Sequence, residues 1–399
     1  MTTKLNILVS GASIAGPAAA YWLQRTGHSV TLIERSHELR QAGQNVDVRG
    51  TGREVLRRMN VEKEVLSRNT GETGTRFIDD HGRTLWEIPA GTSDSDGPTG
   101  QAEILRGELS KILVDALPDT VTLRFGQRIT GLEQDDTGVD VTINDDVHER
   151  YDLVVVAEGT RSFTRTMIFG DVPTKPLGLY TAFGTIPLAE DDNRYWNWYN
   201  AIGGRSITIR PDNKGTTRVA LSFLSPSKGY EDLPKDEQKR LLIDTYSDVG
   251  WKAPRILREL ADTDELYVDN LTQVFAPTYG KGAAVLLGDA AWCATPLSGL
   301  GTTLALTGAY VLAGELARNS TIGAALHRYQ EQMSVFVEKA RKLPPGGPRL
   351  AHPMTRWGLT AFRTALRIAG SRPARALSGK LPSPPSKSED LPSYPELRV

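Results

Sequence analysis

The sequence predicts an α/β fold: a parallel sheet interrupted by a second domain of antiparallel strands, with helices at the C-terminal end. Three observations support this prediction. A strand, a helix and a strand follow one another in the first 34 residues, a stretch rich in Tyr, Trp and Thr fills the middle of the chain, and a buried strand followed by a Gly/Ala-rich helix returns near residue 283. Because a βαβ unit implies a parallel sheet covered on both faces, the first and last observations belong to one domain.

Apolar runs and helical periodicity predict the elements of this first domain. The predicted strands are Leu5–Ser10, Ser29–Ile33, Leu153–Ala157 and Ala283–Leu287, with antiparallel strands over Thr120–Val147. The predicted helices are Pro17–Thr26, Gly52–Met59, Gly107–Leu117 and Thr302–Ala317.

Short alternating segments over Leu177–Leu224 predict an antiparallel sheet, and helical patterns follow over Leu233–Tyr246 and Ala253–Leu260. A last helical stretch covers Met354–Ala369. We therefore assign residues 1–72, 99–176 and 268–320 to the first domain, 73–98 and 177–267 to the second, 321–380 to C-terminal helices, and 381–399 to a Pro-rich tail, expected to be extended or mobile.

Composition excludes several classes of function. Among 399 residues, 47 Lys and Arg nearly balance 48 Asp and Glu, which argues against nucleic-acid binding. The single cysteine, Cys293, rules out an intramolecular disulfide, and the six scattered histidines predict no metal site. No signal peptide is recognisable, and the apolar stretch Leu304–Leu316 is short for a bilayer span. We expect a cytoplasmic protein without an integral membrane segment.

The first motif is Gly11-Ala12-Ser13-Ile14-Ala15-Gly16, between the first strand and helix. It matches the G-x-G-x-x-G pattern of Rossmann-like dinucleotide-binding domains except at Ser13. Gly11 allows a tight turn, Gly16 lets helix and strand pack closely, and the helix N-terminus favours a pyrophosphate. Glu34, at the end of the second strand, is placed to bond an adenosine ribose. These features together predict a bound dinucleotide.

Two more polar segments follow buried strands. Gly288-Asp289-Ala290-Ala291 comes directly after Ala283–Leu287, and Gly299-Leu300-Gly301-Thr302-Thr303 opens the next helix. A strand-end aspartate can accept a hydroxyl, and the helix N-terminus can face a carbonyl or phosphate. The third segment, Ala157 to Arg165, follows Leu153–Val156 and would in isolation be a polar loop.

In this order and separation, the three segments resemble the class A flavoprotein monooxygenases, the aromatic-ring hydroxylase family, over Lys4 to Met333. Ala42–Asp47, leading to Gly52–Leu56, is similar to the branch that contains the tetracycline-inactivating enzymes. The resemblance implies an FAD-binding domain and an NADPH- or NADH-consuming enzyme. Such an enzyme inserts one oxygen atom from O₂ into an aromatic or polycyclic small molecule through a flavin C4a-hydroperoxide.

The resemblance also implies site residues, although it names no catalytic residue. FAD contacts fall on Gly11, Ser13, Ile14, Ala15, Gly16, Glu34, Arg35, Asp47, Arg106, Asp289, Pro296, Gly299, Leu300, Gly301 and Thr302. NADPH contacts fall on Arg40 and Arg165, the latter in a segment that the family uses for both nucleotides. The sequence departs from the family where Glu158 replaces Asp, Trp292 replaces His and Thr303 replaces Asn.

Three alternatives are weighed against this interpretation. Trp196-x-Trp198 is similar to a flavin-dependent halogenase motif, but Asn200-Ala201 stands where Ile-Pro should follow. The departures from the family at Glu158, Trp292 and Thr303 are the reason to consider a flavin- or nucleotide-binding regulator without turnover. An NAD-dependent dehydrogenase is disfavoured, since the second and third segments would then have no role.

Two segments bear on the substrate and on partners. In Tyr195–Tyr199, one face of the strand carries Tyr195, Asn197 and Tyr199, and the other carries the two tryptophans. One of these faces either lines a substrate pocket or, the slightly preferred interpretation, belongs to the core of the sheet.

Met354–Lys380 holds six basic residues and no acid: Arg356, Arg363, Arg367, Arg372, Arg375 and Lys380. It can lie on a membrane, cap the site or, more commonly, pack one face on the body.

Overall fold

The computed structural model describes residues 4–40, 43–91, 99–343, 346–371 and 390–397, and for Pro296 only the backbone. The strands in these ranges are β1 (Asn6–Ser10), β2 (Ser29–Glu34), β3 (Asn45–Asp47), β4 (Gly74–Ile78), β5 (Thr84–Pro89), β6 (Glu103–Leu105), β7 (Thr122–Phe125), β8 (Ile129–Asp135), β9 (Gly138–Ile143), β10 (Val147–Tyr151), β11 (Leu153–Val156), β12 (Thr174–Pro187), β13 (Trp196–Ala201), β14 (Arg205–Pro211), β15 (Thr216–Leu224), β16 (Tyr267–Val274), β17 (Gly280–Lys281) and β18 (Ala284–Leu286). The helices are α1 (Ala15–Arg25), α2 (Gly50–Arg58), α3 (Glu62–Ser67), α4 (Arg106–Asp115), α5 (Phe163–Phe169), α6 (Lys235–Tyr246), α7 (Ala253–Ala261), α8 (Asp289–Trp292), α9 (Gly301–Arg318), α10 (Ile322–Arg341), α11 (Pro348–Ala351) and α12 (Arg356–Ala369).

A six-stranded sheet, in the order β17-β18-β11-β1-β2-β7, organises the first domain. All neighbours pair in parallel except β17 with β18. Residues 7–10 and 153–156 are buried throughout, as expected of central strands covered on both faces. This sheet confirms the predicted α/β class.

One strand assignment is wrong. β7 lies in the stretch predicted as antiparallel, but it pairs in parallel with β2, with Thr31 opposite Thr122. Alternation of apolar and polar residues shows only that a strand is half-buried, which also holds at the edge of a parallel sheet, so it does not fix strand direction. β8, β9 and β10 do form an antiparallel sheet.

The second domain is a seven-stranded sheet in the order β16-β12-β15-β14-β13-β4-β5. It is antiparallel except where β13 runs parallel to β4. One face packs on α6 and α7 through a separate apolar core that includes Leu221, Tyr246 and Ile256. The opposite face is polar and aromatic, and it borders the first domain.

The C-terminal part packs on the first domain. α10 lies against α9, and residues 390–397 lie along the far half of α9. Tyr394 is buried there; its hydroxyl donates to Glu315 Oε1 at 2.6 Å, and its ring covers Gly314 so closely that a Cβ there would overlap the ring. These residues of the Pro-rich tail, expected to be extended or mobile, are docked against α9.

Within the described ranges, no helix combines the length and the apolar character needed to cross a bilayer. Thr355 caps the N-terminus of α12, where its side chain accepts from Gly358 N, and the helix packs on β5. Of the predicted basic stretch, Arg372, Arg375 and Lys380 lie outside the described residues.

Candidate active site

The turn between β1 and α1 requires its two glycines. Gly11 has φ +107°, and a Cβ there would lie 2.5 Å from the carbonyl oxygen of Ala157. A Cβ on Gly16 would overlap the carbonyl oxygen of Gly11, so only glycine lets α1 start this close to the strand. Ile14 gives α1 no side-chain cap. The first N–H groups of α1 are therefore available to an anion, as the motif predicts.

Glu34 stabilises the same turn from the end of β2. Its Oε2 accepts from Ala12 N at 2.9 Å and its Oε1 from Ser36 N at 3.0 Å, and each oxygen keeps a lone pair for a ribose hydroxyl. Arg35 is exposed next to it. Arg40 is also exposed, and its Nε donates to Ser36 Oγ at 2.8 Å. The predicted contact of Arg40 with NADPH stays a prediction.

Asp47 offers one free carboxylate oxygen. Its Oδ2 accepts from Arg49 Nε at 3.0 Å and from Gly100 N at 3.1 Å, while its Oδ1 is buried without a partner among the described residues. A buried carboxylate oxygen without a donor is costly. Arg106 lies between Gly43 and Ser13, with its Nη1 3.5 Å from Ser13 Oγ. Asp47 therefore has an acceptor to spare for a ligand hydroxyl or N–H.

Asp289 and the start of α9 form the other side of the cleft. Asp289 is exposed toward the cleft while protein surrounds its other sides, and this desolvation raises the pKa of its carboxyl group. A Cβ on Gly301 would lie 3.8 Å from Asp289 Oδ1. Gly299 has φ +64° and faces open space, and Leu300 gives α9 no side-chain cap. The N–H groups that start α9, at Gly301 and Thr302, are therefore free to bind a carbonyl oxygen.

Contacts link these predicted residues into one cleft. Gly288, which precedes Asp289, packs against Ala15 at the start of α1. Arg106 lowers the pKa of Asp289 against the effect of burial, so the two charges lie within electrostatic reach. Thr303, on α9, accepts from Arg49 N at 3.0 Å and donates to Arg49 O at 3.2 Å, which ties α9 to the segment after Asp47.

The third segment, Ala157 to Arg165, is hydrogen-bonded to the elements that carry the other two segments. Glu158 accepts from the hydroxyls of Ser10, Ser162 and Thr164 at 2.6, 2.6 and 2.7 Å, which holds the loop after β11. Arg165 is only 7% exposed; it donates to Ala290 O at 3.0 Å and to Thr160 O at 2.8 Å. Sequence reasoning missed this positioning role, because only the fold brings Ala290 beside Arg165. The predicted NADPH contact of Arg165 stays a prediction.

Two of the residues that depart from the family pattern, Trp292 and Thr303, make contacts of their own in the structure. Trp292 is buried between Tyr279 and Tyr329, with ring centroids 4.9 and 6.0 Å away, and it packs on Gly308 of α9. Thr303 makes the two bonds to Arg49. Both residues therefore support the cleft from behind, and neither obstructs it.

The strand Tyr195–Tyr199 uses its two faces differently. Tyr199 is buried and its ring packs on Trp251 at 5.5 Å, so this face is sheet core, as preferred. Trp196 and Trp198 are half-buried on the opposite face, with their rings 5.3 Å apart. Trp198 belongs to a row that crosses the sheet: Tyr267, Phe183, Ala220, Thr208, Trp198, Phe77 and Trp86.

This row leaves a slot on the sheet. Aromatic rings flank it, with Phe183 and Tyr267 5.2 Å apart on one side and Trp198 and Phe77 5.7 Å apart on the other. Between them lie the small side chains of Ala220 and Thr208. β12 and β13 are separated by three strand spacings, which is about 14 Å at about 4.8 Å each.

The slot faces the cofactor side of the cleft. Burial raises the pKa of Tyr267, and Arg106 of the first domain opposes that rise. Burial also raises the pKa of Asp269, two residues along β16 on the same face, and the charges of Glu231 and Asp289 add to the rise. The sheet face and the residues at the start of α9 thus border one cleft.

A buried charge cluster joins the two domains behind Asp47. Arg210 of β14 donates from Nε to Glu72 Oε2 at 2.9 Å, and its guanidinium also bonds Glu103. Its guanidinium carbon lies 4.2 Å from the ring centroid of Trp196. Glu103 is directly opposite Asp47 in the β3–β6 pair. Burial raises the pKa of Glu103 well above its ordinary value, and the charges of Glu72 and Asp47 add to that rise.

The residues present fit FAD: a glycine turn with a free helix start for the pyrophosphate, an acid at the end of β2, a free Asp47 oxygen, and a second free helix start for the flavin ring. This fold and site define a flavin-dependent monooxygenase. The family profile described as "FAD binding domain" matches residues 4–342, and the chain belongs to that family.

The similar proteins agree with this assignment. The chain is 34% identical to the flavin-dependent monooxygenase eupH of Phoma sp in an alignment of 428 positions, gaps included, that covers 98% of both chains. It is 36% identical over 350 residues to a flavin-dependent monooxygenase of Legionella longbeachae serogroup 1 (strain NSW150), covering 86% of this chain and 88% of the relative. The crystal structure of tetracycline destructase Tet(51) is 32% identical, with TM-score 0.78, covering 93% of this chain and 98% of that one. The protein is an FAD-dependent monooxygenase, and neither the halogenase nor the non-catalytic alternative is favoured.

Proposed function

We propose that this enzyme oxidises NADPH or NADH and inserts one oxygen atom from O₂ into an aromatic or polycyclic small molecule bound in the slot of the seven-stranded sheet. The slot carries the proposal, because aromatic walls and a small-residue floor suit a flat ring system. When bound, FAD supplies the activation of O₂. The protein binds and orients both molecules and keeps water from the cleft.

Individual residues have defined parts in this proposal. The start of α1 would bind the pyrophosphate of FAD, and the start of α9 would bind its flavin ring. Asp47 and Asp289 would accept hydrogen bonds from hydroxyl groups of the ribityl chain. Arg165 holds the loop at Thr160 against α8 at Ala290. The substrate lies over Ala220 and Thr208, between the rings of Phe183 and Trp198.

The first experiment is the visible spectrum of the purified protein before and after anaerobic addition of NADPH, then of NADH. A flavin spectrum that bleaches with either nucleotide supports the proposed reductant. A flavin spectrum that stays oxidised with both, even with candidate substrates present, contradicts it. Asp289→Ala is expected to lose FAD, because the cleft then lacks its strand-end acceptor; unchanged FAD occupancy would contradict the assigned site.

The second experiment tests the slot. Phenols and polycyclic phenols are screened for substrate-dependent NADPH consumption and for a product heavier by one oxygen atom; tetracycline is included because the similar enzyme Tet(51) is named for it. Ala220→Phe fills the floor and is expected to raise KM at least about tenfold for any polycyclic substrate. Ala324→Phe, at an exposed position of α10, is the matched control. Equal KM values for the two variants would place the substrate elsewhere.

A further inference from the structure

The surface formed by α12 and the residues just before it carries unusually many exposed apolar side chains. Of the eleven large apolar side chains exposed in the described part of the chain, four lie between residues 350 and 368: Leu350, Met354, Trp357 and Ile368. Trp357 is 86% exposed and Ile368 63%. Single exposed apolar residues are ordinary, but a concentrated patch marks a binding surface.

The exposed apolar side chains and the arginines of α12 lie at different angles around the helix axis. At 100° per residue, Trp357, Ala361 and Ile368 fall at the centre of the exposed half. Arg356 and Arg367 lie along one edge of it, and Leu359 and Leu366 are buried on the inner side. The exposed half is therefore an apolar strip with a cationic border.

The side-chain hydroxyls on the exposed half of α12 already donate hydrogen bonds within the protein. Thr360 and Thr364 lie on the exposed half, and their hydroxyls donate back to the helix, to Arg356 O at 3.0 Å and Thr360 O at 2.8 Å. The inner side is held by Arg363, which donates to both Asp80 oxygens at 2.6 and 2.7 Å. α12 is thus a fixed part of the body whose outer face can enter an apolar environment without losing hydrogen bonds.

The charges of this face select its partner. α12 contains three arginines and no acid, and the eleven residues that follow it in the sequence add Arg372, Arg375 and Lys380, again without an acid. Arg363 pairs with Asp80, and Arg367 Nη2 lies 3.8 Å from Asp79 Oδ2 with its side chain 55% exposed, so the positive charge that faces outward lies at Arg356 and Arg367. Two copies packed symmetrically through this face would bring like charges together, whereas an anionic surface would complement them.

We propose that α12 docks the enzyme on an anionic lipid membrane surface. Trp357 and Ile368 enter the boundary between head groups and acyl chains, and Arg356 and Arg367 contact the lipid phosphates. This proposal concerns where the enzyme binds, and it stands independently of the substrate.

The test is flotation of the FAD-loaded enzyme with vesicles of phosphatidylcholine, with and without phosphatidylglycerol. Binding to the anionic vesicles that weakens as salt is added is expected. Trp357→Ala should lower the partition coefficient at least about tenfold, the value of one buried large apolar side chain. Arg356→Gln combined with Arg367→Gln should remove the preference for phosphatidylglycerol. Val335→Ala, exposed on α10, is the matched control.

Three results would overturn the proposal: no binding to anionic vesicles at low salt, equal binding by Trp357→Ala and the control, or a dimer in solution that Trp357→Ala abolishes. The last result would assign the face to a second copy of the chain. The FAD spectrum and turnover of a water-soluble substrate are measured for every variant, so that a failure of docking is distinguished from a failure of folding or of the proposed reaction.

Discussion

The charge cluster at Arg210 allows a sharp comparison of two substitutions. If Asp47, Glu72 and Glu103 were all ionised, their three negative charges would exceed the two positive charges of Arg49 and Arg210. Burial raises the pKa of Glu103, and the charges of Glu72 and Asp47 add to that rise, so a proton on Glu103 relieves this excess of negative charge. Glu103→Gln removes the ionisable group and keeps its shape, whereas Arg210→Gln removes the charge that both neighbouring glutamates contact.

The expected magnitudes follow from burial. Glu103 is 1% exposed, and the Glu72 side chain is fully buried. Arg210→Gln leaves a buried carboxylate without its counter-charge and is expected to cost about 3–5 kcal/mol of unfolding free energy. Glu103→Gln keeps an acceptor for Arg210 and is expected to change the free energy of unfolding by less than about 1 kcal/mol at neutral pH. Arg76→Gln, which breaks a half-exposed pair with Glu87, is a control expected to cost at most about 1 kcal/mol.

The pH dependence has a defined sign. The folded protein binds the Glu103 proton more tightly than the unfolded chain does, because the pKa of Glu103 is raised in the fold. Wild-type stability therefore falls as pH rises from the unfolded pKa to the folded one, by at most about 1.4 kcal/mol per pH unit. Glu103→Gln lacks this contribution, so its stability relative to wild type should rise over the same interval.

The assay is urea unfolding at fixed FAD concentration and several pH values for the wild type and the three variants. The reasoning fails if Glu103→Gln costs as much as Arg210→Gln. It also fails if the stability difference between Glu103→Gln and wild type is independent of pH.

Three further predictions concern single contacts. Gly16→Ala should abolish FAD retention, because the added Cβ overlaps the turn that starts α1; a variant with full flavin absorbance would contradict this. Tyr394→Ala should cost about 3–5 kcal/mol of stability by emptying the groove on α9, and Tyr394→Phe about 1–2 kcal/mol by removing the bond to Glu315, both measured as thermal midpoints at saturating FAD; equal midpoints would refute the docked tail. Arg165→Lys should raise the FAD dissociation constant about tenfold, since one ammonium cannot span the two carbonyls that the guanidinium bonds; fluorescence titration of the apoprotein measures it, and an unchanged constant would exclude a positioning role.

The sequence was sufficient for the architecture and for the cofactor class, because both depend on local patterns. The Gly11–Gly16 turn, the fully apolar strand Leu153–Val156 and the start of α9 each combine strand, turn and helix signals within about twenty residues. Such signals survive without knowledge of the rest of the chain. The direction of β7 was mispredicted because it depends on a neighbour, β2, that lies about ninety residues away.

The positioning contacts could not be predicted for the same reason. Arg165 and Ala290 are 125 residues apart, and Tyr394 and Glu315 are 79 apart. Nothing near Arg165 or Tyr394 in the sequence indicates these partners. The slot between Phe183 and Trp198 likewise depends on the register of four strands, which alternation alone does not determine.

The contacts of α9 also bear on how the protein forms on the ribosome. α1 and α2 pack on α9, with Thr51 and Thr307 joined by a 2.8 Å hydrogen bond across 256 residues. The apolar side of α1, including Trp22, therefore stays uncovered while about 280 further residues are synthesised. At about 5–20 residues per second, this interval is roughly 15 to 55 s. The seven-stranded sheet can form during this wait, so the cofactor domain begins first and is completed last.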